Sequence, residues 1–208
     1  MKAGTWTTAS LALLSASVLA QAQVNPTDPQ PTCTMCPGTY VASAELESYT
    51  KKAIAEKLID QQVRDVDIGK ANIGIGIVHR GKLDKPAANS VAEHDQISEV
   101  YHIISGSGTL VLGPDIVNRQ RRPATSRTVV EFNGPGNNGS EVRNGIAYDL
   151  KPGDVVVIPA GTGHWFTRID DHIDYFDSHR SGQGHAAQGR SRIEGIPVQA
   201  GAMGELIG

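Results

Sequence analysis

Aromatic residues make up only 5% of this 208-residue chain, there are just two cysteines, and no positive charge is in excess. Each shortage excludes something. With Lys+Arg at 19 against Asp+Glu at 22, the formal net charge is -3, so there is no positive field to neutralise phosphates and nucleic acid is excluded as a partner. No stretch approaches the roughly 20 consecutive apolar residues that span a bilayer, so no membrane partner is expected for the mature form. What the chain does have is 39% hydrophobic and 20% charged residues, a globular composition, at a length that suits one domain with tails.

Residues 1-22 differ from the rest. Lys2 precedes a short apolar run from Ala9 to Ala20, and Ala20-Gln21-Ala22 follows with small residues at signal-peptidase spacing. The order of charge, apolar run and cleavage site predicts a signal peptide removed after Ala22 and an exported protein, periplasmic or secreted. Residues 23-42 form a proline-rich lead that carries both cysteines as Cys33-Thr-Met-Cys36. In an exported chain this spacing favours a disulfide, against a metal or redox role or free thiols.

Residues 43-72 read as a helix and a connection. Ser43 can cap, and Leu46, Tyr49, Ala53, Ile54 and Leu58 recur at helical spacing. From Ile73 the period changes to two, with Ile73, Ile75, Ile77 and His79 on one face. Further β-type runs are expected at 99-104, 109-112, 128-132, 155-158 and 166-169, separated by turn signals such as Ser105-Gly-Ser-Gly108 and Lys151-Pro-Gly-Asp154. Short strands at close spacing indicate an all-β sandwich or small barrel over residues 73-180. Residues 181-208 form a glycine-rich tail expected to lie outside the core.

Two blocks carry the chemistry: His94-Asp-Gln-Ile-Ser-Glu99-Val-Tyr-His-Ile-Ile-Ser-Gly106, and Gly153-Asp-Val-Val-Val-Ile-Pro159-Ala-Gly161-Thr-Gly-His164. They resemble the paired signature motifs of the cupin superfamily, small single-domain cupins of type 2 in particular. The resemblance implies a double-stranded β-helix, the cupin or jelly-roll barrel, here preceded by an N-terminal helix. It also implies a divalent transition metal (Fe, Mn, Ni or Zn) held by His94, Glu99 and His164. Two imidazoles and one carboxylate make a facial triad that leaves coordination positions open. The chain departs from the family pattern at Ala92, where a further ligand histidine stands, and at Arg168, where the second motif ends in asparagine.

On a strand starting at Glu99, Tyr101 shares its face and His102 points away. Tyr101 is therefore the candidate catalytic acid or base, a placement that resembles cupin-type dimethylsulfoniopropionate lyases. His79 is a candidate stand-in for the missing ligand, and Arg168 a candidate metal-free partner for Glu99. The expected function is that of an enzyme of dioxygenase, isomerase or lyase type acting on a small-molecule substrate. The alternative is a non-catalytic module that binds a small-molecule ligand. A homodimer is expected from the resemblance and from the apolar stripe at 46-58.

Overall fold

The structure is a computed structural model that describes residues 29-33 and 36-182. The chain divides into a unit Met1–Pro31 and a unit Thr32–Gly208, and every element described lies in the second. The expected signal peptide and the glycine-rich tail beyond residue 182 lie outside the described residues. Cys33 and Cys36 are joined as a disulfide with Cα atoms 5.8 Å apart.

The expected helix is α1, Ser43–Glu56. Ala42 rather than Ser43 holds its N-cap position, without a side-chain capping bond, and Lys57 ends it in the left-handed conformation, donating its N–H to Ala53 and Ile54 carbonyls. Strands β1 (Asp60–Asp67), β2 (Ala71–Leu83), β3 (Val91–His94) and β4 (Ile97–Gly113) follow. Then come β5 (Asp115–Val117), β6 (Gln120–Arg121), a helical turn at Thr128–Phe132, β7 (Gly136–Gly139), β8 (Glu141–Arg143), β9 (Ile146–Leu150), β10 (Val155–Ile158) and β11 (Gly163–Gly182). The pairing is antiparallel throughout: β11 lies between β2 and β4, β1 flanks β2, β3 joins β11 to β7, and β4 also pairs β9 and β10. This is the all-β double-stranded β-helix with an N-terminal helix that the cupin resemblance implies.

The core is built by alternation. Along β4, Glu99, Tyr101 and Ile103 are buried while Val100, His102 and Ile104 are exposed. The interior collects Val78, Tyr101, Ile103, Leu110, Ile158, Phe166, Ile173 and Tyr175 around one centre.

Four expectations need correction. The sheet begins at Asp60, because β1 (DQQVRDVD) buries only Val63 fully and carries no apolar alternation to mark it. The face of β2 turned to the interior is the even one: Val78 joins the core, a Cβ on Gly74 would overlap the His179 ring, and Arg80 donates to Tyr175 Oη over 3.1 Å. Ile77 is fully buried but outside that core, on the strand against which α1 packs. Ser105-Gly-Ser-Gly108 does not turn the chain. β4 runs through it as an irregularity, Gly106 taking φ 72° where a Cβ would overlap the His172 carbonyl. Finally, 128-132 is a helical turn instead of a strand, its β-branched residues exposed or half-buried at the surface.

Candidate metal centre

His94 ends β3, Glu99 lies near the start of β4, and His164 is the second residue of β11. The fold brings the three together, with one potential ligand atom from each within 4.8 Å of the others. His94 Nε2 is 3.3 Å from Glu99 Oε1 and His164 Nε2 is 3.4 Å from Glu99 Oε2. All three side chains are buried. Ala92 pairs directly with His164 across the strands, so the position where the family carries another histidine borders this cluster and offers a methyl group.

Burial alone would raise the Glu99 carboxyl, but the imidazoles of His164 and His94 outweigh it and hold the group well below the usual carboxylate range. Burial lowers His164 to about 4 despite the attraction of Glu99, so its ring is neutral at physiological pH. Tyr101 Oη donates to Glu99 Oε2 over 3.1 Å. Desolvation first, and the Glu99 charge second, push the Tyr101 phenol well above its ordinary value, so this side chain keeps its proton. A buried carboxylate with two imidazoles and a phenolic donor suits a divalent cation in its donor set.

The two histidines are prepared differently. His164 Nδ1 lies 3.2 Å from the Thr162 carbonyl, which accepts its N–H and leaves the Nε2 lone pair directed at Glu99. His94 Nδ1 instead meets Arg122 Nη1 at 3.2 Å. A guanidinium can only donate, so Nδ1 is the acceptor and the proton sits on Nε2, facing Glu99. Asn133 touches the same Nε2 at 3.2 Å, and its carbonyl oxygen, buried without a partner, accepts that proton once the amide is turned over. His164 is set for ligation; His94 must first move its proton.

The remaining candidates lie elsewhere. His79 bonds Asp174 at 2.6 Å and is no stand-in ligand. Arg168 pairs with Asp149 and Asp170, not with Glu99. Two arginines ahead of β7 are likewise paired elsewhere, Arg119 with Glu93 and Arg121 with Asp95. A cleft of about 540 Å³, lined in part by Lys52, Glu56, Asp60, Arg127 and Asn133, includes none of the three candidate ligands; of its lining, Asn133 touches His94.

A second group escaped the motif spacing: Asp177 and His179 of β11, whose ligand atoms also lie within 4.8 Å of Glu99. His179 pairs with Glu99 across the strands and Asp177 with Tyr101. Their signal was the period-two run Ile173, Tyr175, Asp177, His179, a polar pair at the end of an inward face.

No family model matches the chain, and no curated protein matches it. Among solved structures it is similar to the DMSP lyase DddQ from Ruegeria pomeroyi DSS-3, at 16% identity and TM-score 0.33, over 55% of this chain but only 41% of the lyase. KdgF from Halomonas sp. is 14% identical with TM-score 0.34, over 59% of this chain and 78% of that one. A conserved protein with a double-stranded beta-helix domain from Klebsiella pneumoniae subsp. pneumoniae MGH 78578 is 15% identical with TM-score 0.35, over 60% and 77%. Likenesses this distant say nothing about activity.

Proposed function

We propose that this is an exported metal-binding protein of cupin type, a homodimer, whose ion is held by His94, Glu99 and His164 and acts on a small organic substrate in an oxygenase, isomerase or lyase reaction. The observation that carries this is Glu99, an ionised carboxylate 2% exposed whose hydrogen bonds and ion pairs, among the described residues, bring two imidazoles and a phenol but no lysine or arginine against it. Bound there, an ion supplies a Lewis acid with positions open to substrate. The chain's own residues do the rest. His164 presents Nε2, Glu99 presents charge, and Tyr101 holds a proton on Oη within 3.1 Å of Glu99 that a substrate atom can receive.

The bond from Arg122 to His94 favours the second reading, a barrel that binds a small molecule without turning it over, because it keeps His94 in the tautomer that does not ligate through Nε2. Elemental analysis of the purified full chain after metal reconstitution separates the two. The metal reading expects His164→Ala to lose an equivalent of ion, and equal content in the wild type and this variant overturns it.

A further inference from the structure

The Asp177 and His179 side chains are not used by the centre just described, yet they are built like ligands. Both are buried, at 3% and 6% exposure. Asp177 Oδ1 and His179 Nδ1 have no hydrogen-bond partner. Nδ1 does lie 3.1 Å from Asp177 Oδ2, but out of hydrogen-bond alignment. Two orphaned polar atoms this deep cost free energy unless something fills the space between them.

The other side of the ring shows how the imidazole is prepared. His179 Nε2 meets Gln62 Oε1 at 2.9 Å. Gln62 cannot present its amide nitrogen there, because Nε2 of that amide donates to Asp60 Oδ1 over 3.0 Å. Asp60 therefore fixes Gln62, and Gln62 accepts the proton of His179 Nε2, which leaves Nδ1, facing Asp177, as the position open to an ion. Without one, burial would lower the ring, but the Asp177 carboxylate outweighs it and raises the ring to about 9, so a cation takes the place of the Nδ1 proton. This is the outer-shell arrangement that orients a metal-ligating histidine. Gly74 completes it, since a Cβ at that position would overlap the ring. Where Arg122 turns His94 away from ligation, the Asp60–Gln62 pair turns His179 toward it.

We infer that Glu99, Asp177 and His179 form a second divalent-cation site that shares Glu99 with the His94–Glu99–His164 centre. Two carboxylates and one imidazole suit Mn²⁺, Fe²⁺ or Zn²⁺. Glu99 belongs to both groups, as a carboxylate shared between two cations would in a two-metal centre.

The test uses the full chain, stripped with a chelator and equilibrated with Mn²⁺ or Zn²⁺ alone, with bound ion counted by elemental analysis. The wild type should hold two ions, His164→Ala should keep one, and His164→Ala combined with Asp177→Asn should keep none. Asp177→Asn preserves shape, and circular dichroism checks that each variant is folded. An ion held by the wild type and lost entirely in His164→Ala overturns the second site and leaves the first standing. One ion that survives His164→Ala but is lost in Asp177→Asn upholds the second site and overturns the first. No bound ion in the wild type overturns both and leaves Asp177 and His179 as an ion pair.

Discussion

At the scale of single residues, the chemistry is decided by which nitrogen carries a proton. Arg122 donates to His94 Nδ1, the wrong polarity for a metal ligand. Outer-shell partners change metal affinity by roughly 10–100-fold, so Arg122→Ala should tighten the ion on His94 by about tenfold. Isothermal titration with Zn²⁺ measures this, and unchanged or weaker binding would show that Arg122 does not set the tautomer. His164 makes a second expectation, in the metal-stripped protein. Burial lowers its folded pKa to about 4 from an ordinary 6.5, against the pull of Glu99. Between those values the unfolded chain binds more protons, so stability is full above pH 6.5 and declines as pH falls toward 4. The whole shift corresponds to about 3 kcal/mol. Urea midpoints in chelator at pH 7 and pH 5 should separate further in the wild type than in His164→Ala; equal separations would refute the assignment. His94, Glu99 and His164 were legible because they sit at motif spacing. Asp177 and His179 were not, for a geometric reason. β11 shifts register against β4 between Phe166 and Arg168, between Ile169 and Ile173, and again between Asp174 and Tyr175. Its buried side chains change from even (His164, Phe166) to mainly odd (Ile169, Ile173, Tyr175, Asp177, His179, with Asp174 the exception), which no count from His164 anticipates.

At the scale of elements, glycines decide where strands bend and where they stop. Gly106 and Gly153 both have positive φ, 72° and 91°. Their surroundings differ: a Cβ at Gly106 would overlap the His172 carbonyl, whereas Gly153 has open space. A left-handed non-glycine residue costs about 1–2 kcal/mol. Gly153→Ala should lose about that much, and Gly106→Ala clearly more, because β4 and β11 must separate to admit the methyl group. Thermal melts of the two variants compare them directly, and equal losses would mean that β11 gives way without cost. This contrast explains what could be read from the sequence at this scale. The turn at Lys151-Pro-Gly-Asp154 was legible because its signals are local: Asp154 Oδ2 accepts from the Lys151 N–H over 2.9 Å, and Gly153 supplies the φ. The Ser105–Gly108 stretch also carries glycine turn signals, but pairing with β11, joined by β9 at Gly108, keeps the chain running through it within β4. β1 was invisible for the opposite reason. Its Asp60 and Gln62 face an interior of polar groups, so an inward face there does not look apolar.

At the scale of the whole molecule, several large apolar side chains stay exposed, and those on β4 and β10 lie side by side. Val157 pairs with Val100 and Val155 with His102 on the outer side of β4 and β10. Val155 and Val157 are 61% and 62% exposed, and Ile104 on the same side of β4 is 48% exposed. Among the described residues, β10 pairs only with β4, so its other edge also offers unpaired backbone groups. A β-branched apolar face beside an open edge is the kind of surface that associates, and a second copy of the chain presents the same face in return. The helix stripe from which a homodimer is expected is a weaker basis, since Leu46, Tyr49 and Leu58 are half-buried and Ala53 is buried, leaving Ile54, 52% exposed, as its exposed member. The proposed dimer is therefore placed on the β4–β10 face. Light scattering on the protein at tens of micromolar should give about twice the chain mass of 22.1 kDa, less any processed leader. Val155→Lys with Val157→Lys should return it to a monomer with stability changed by about 0.5 kcal/mol or less per site, as for exposed positions in general. A wild-type monomer would remove the homodimer altogether. A dimer untouched by the lysines would move it to another face, and since no ligand of either cation site lies on β10, metal content should be the same in every case.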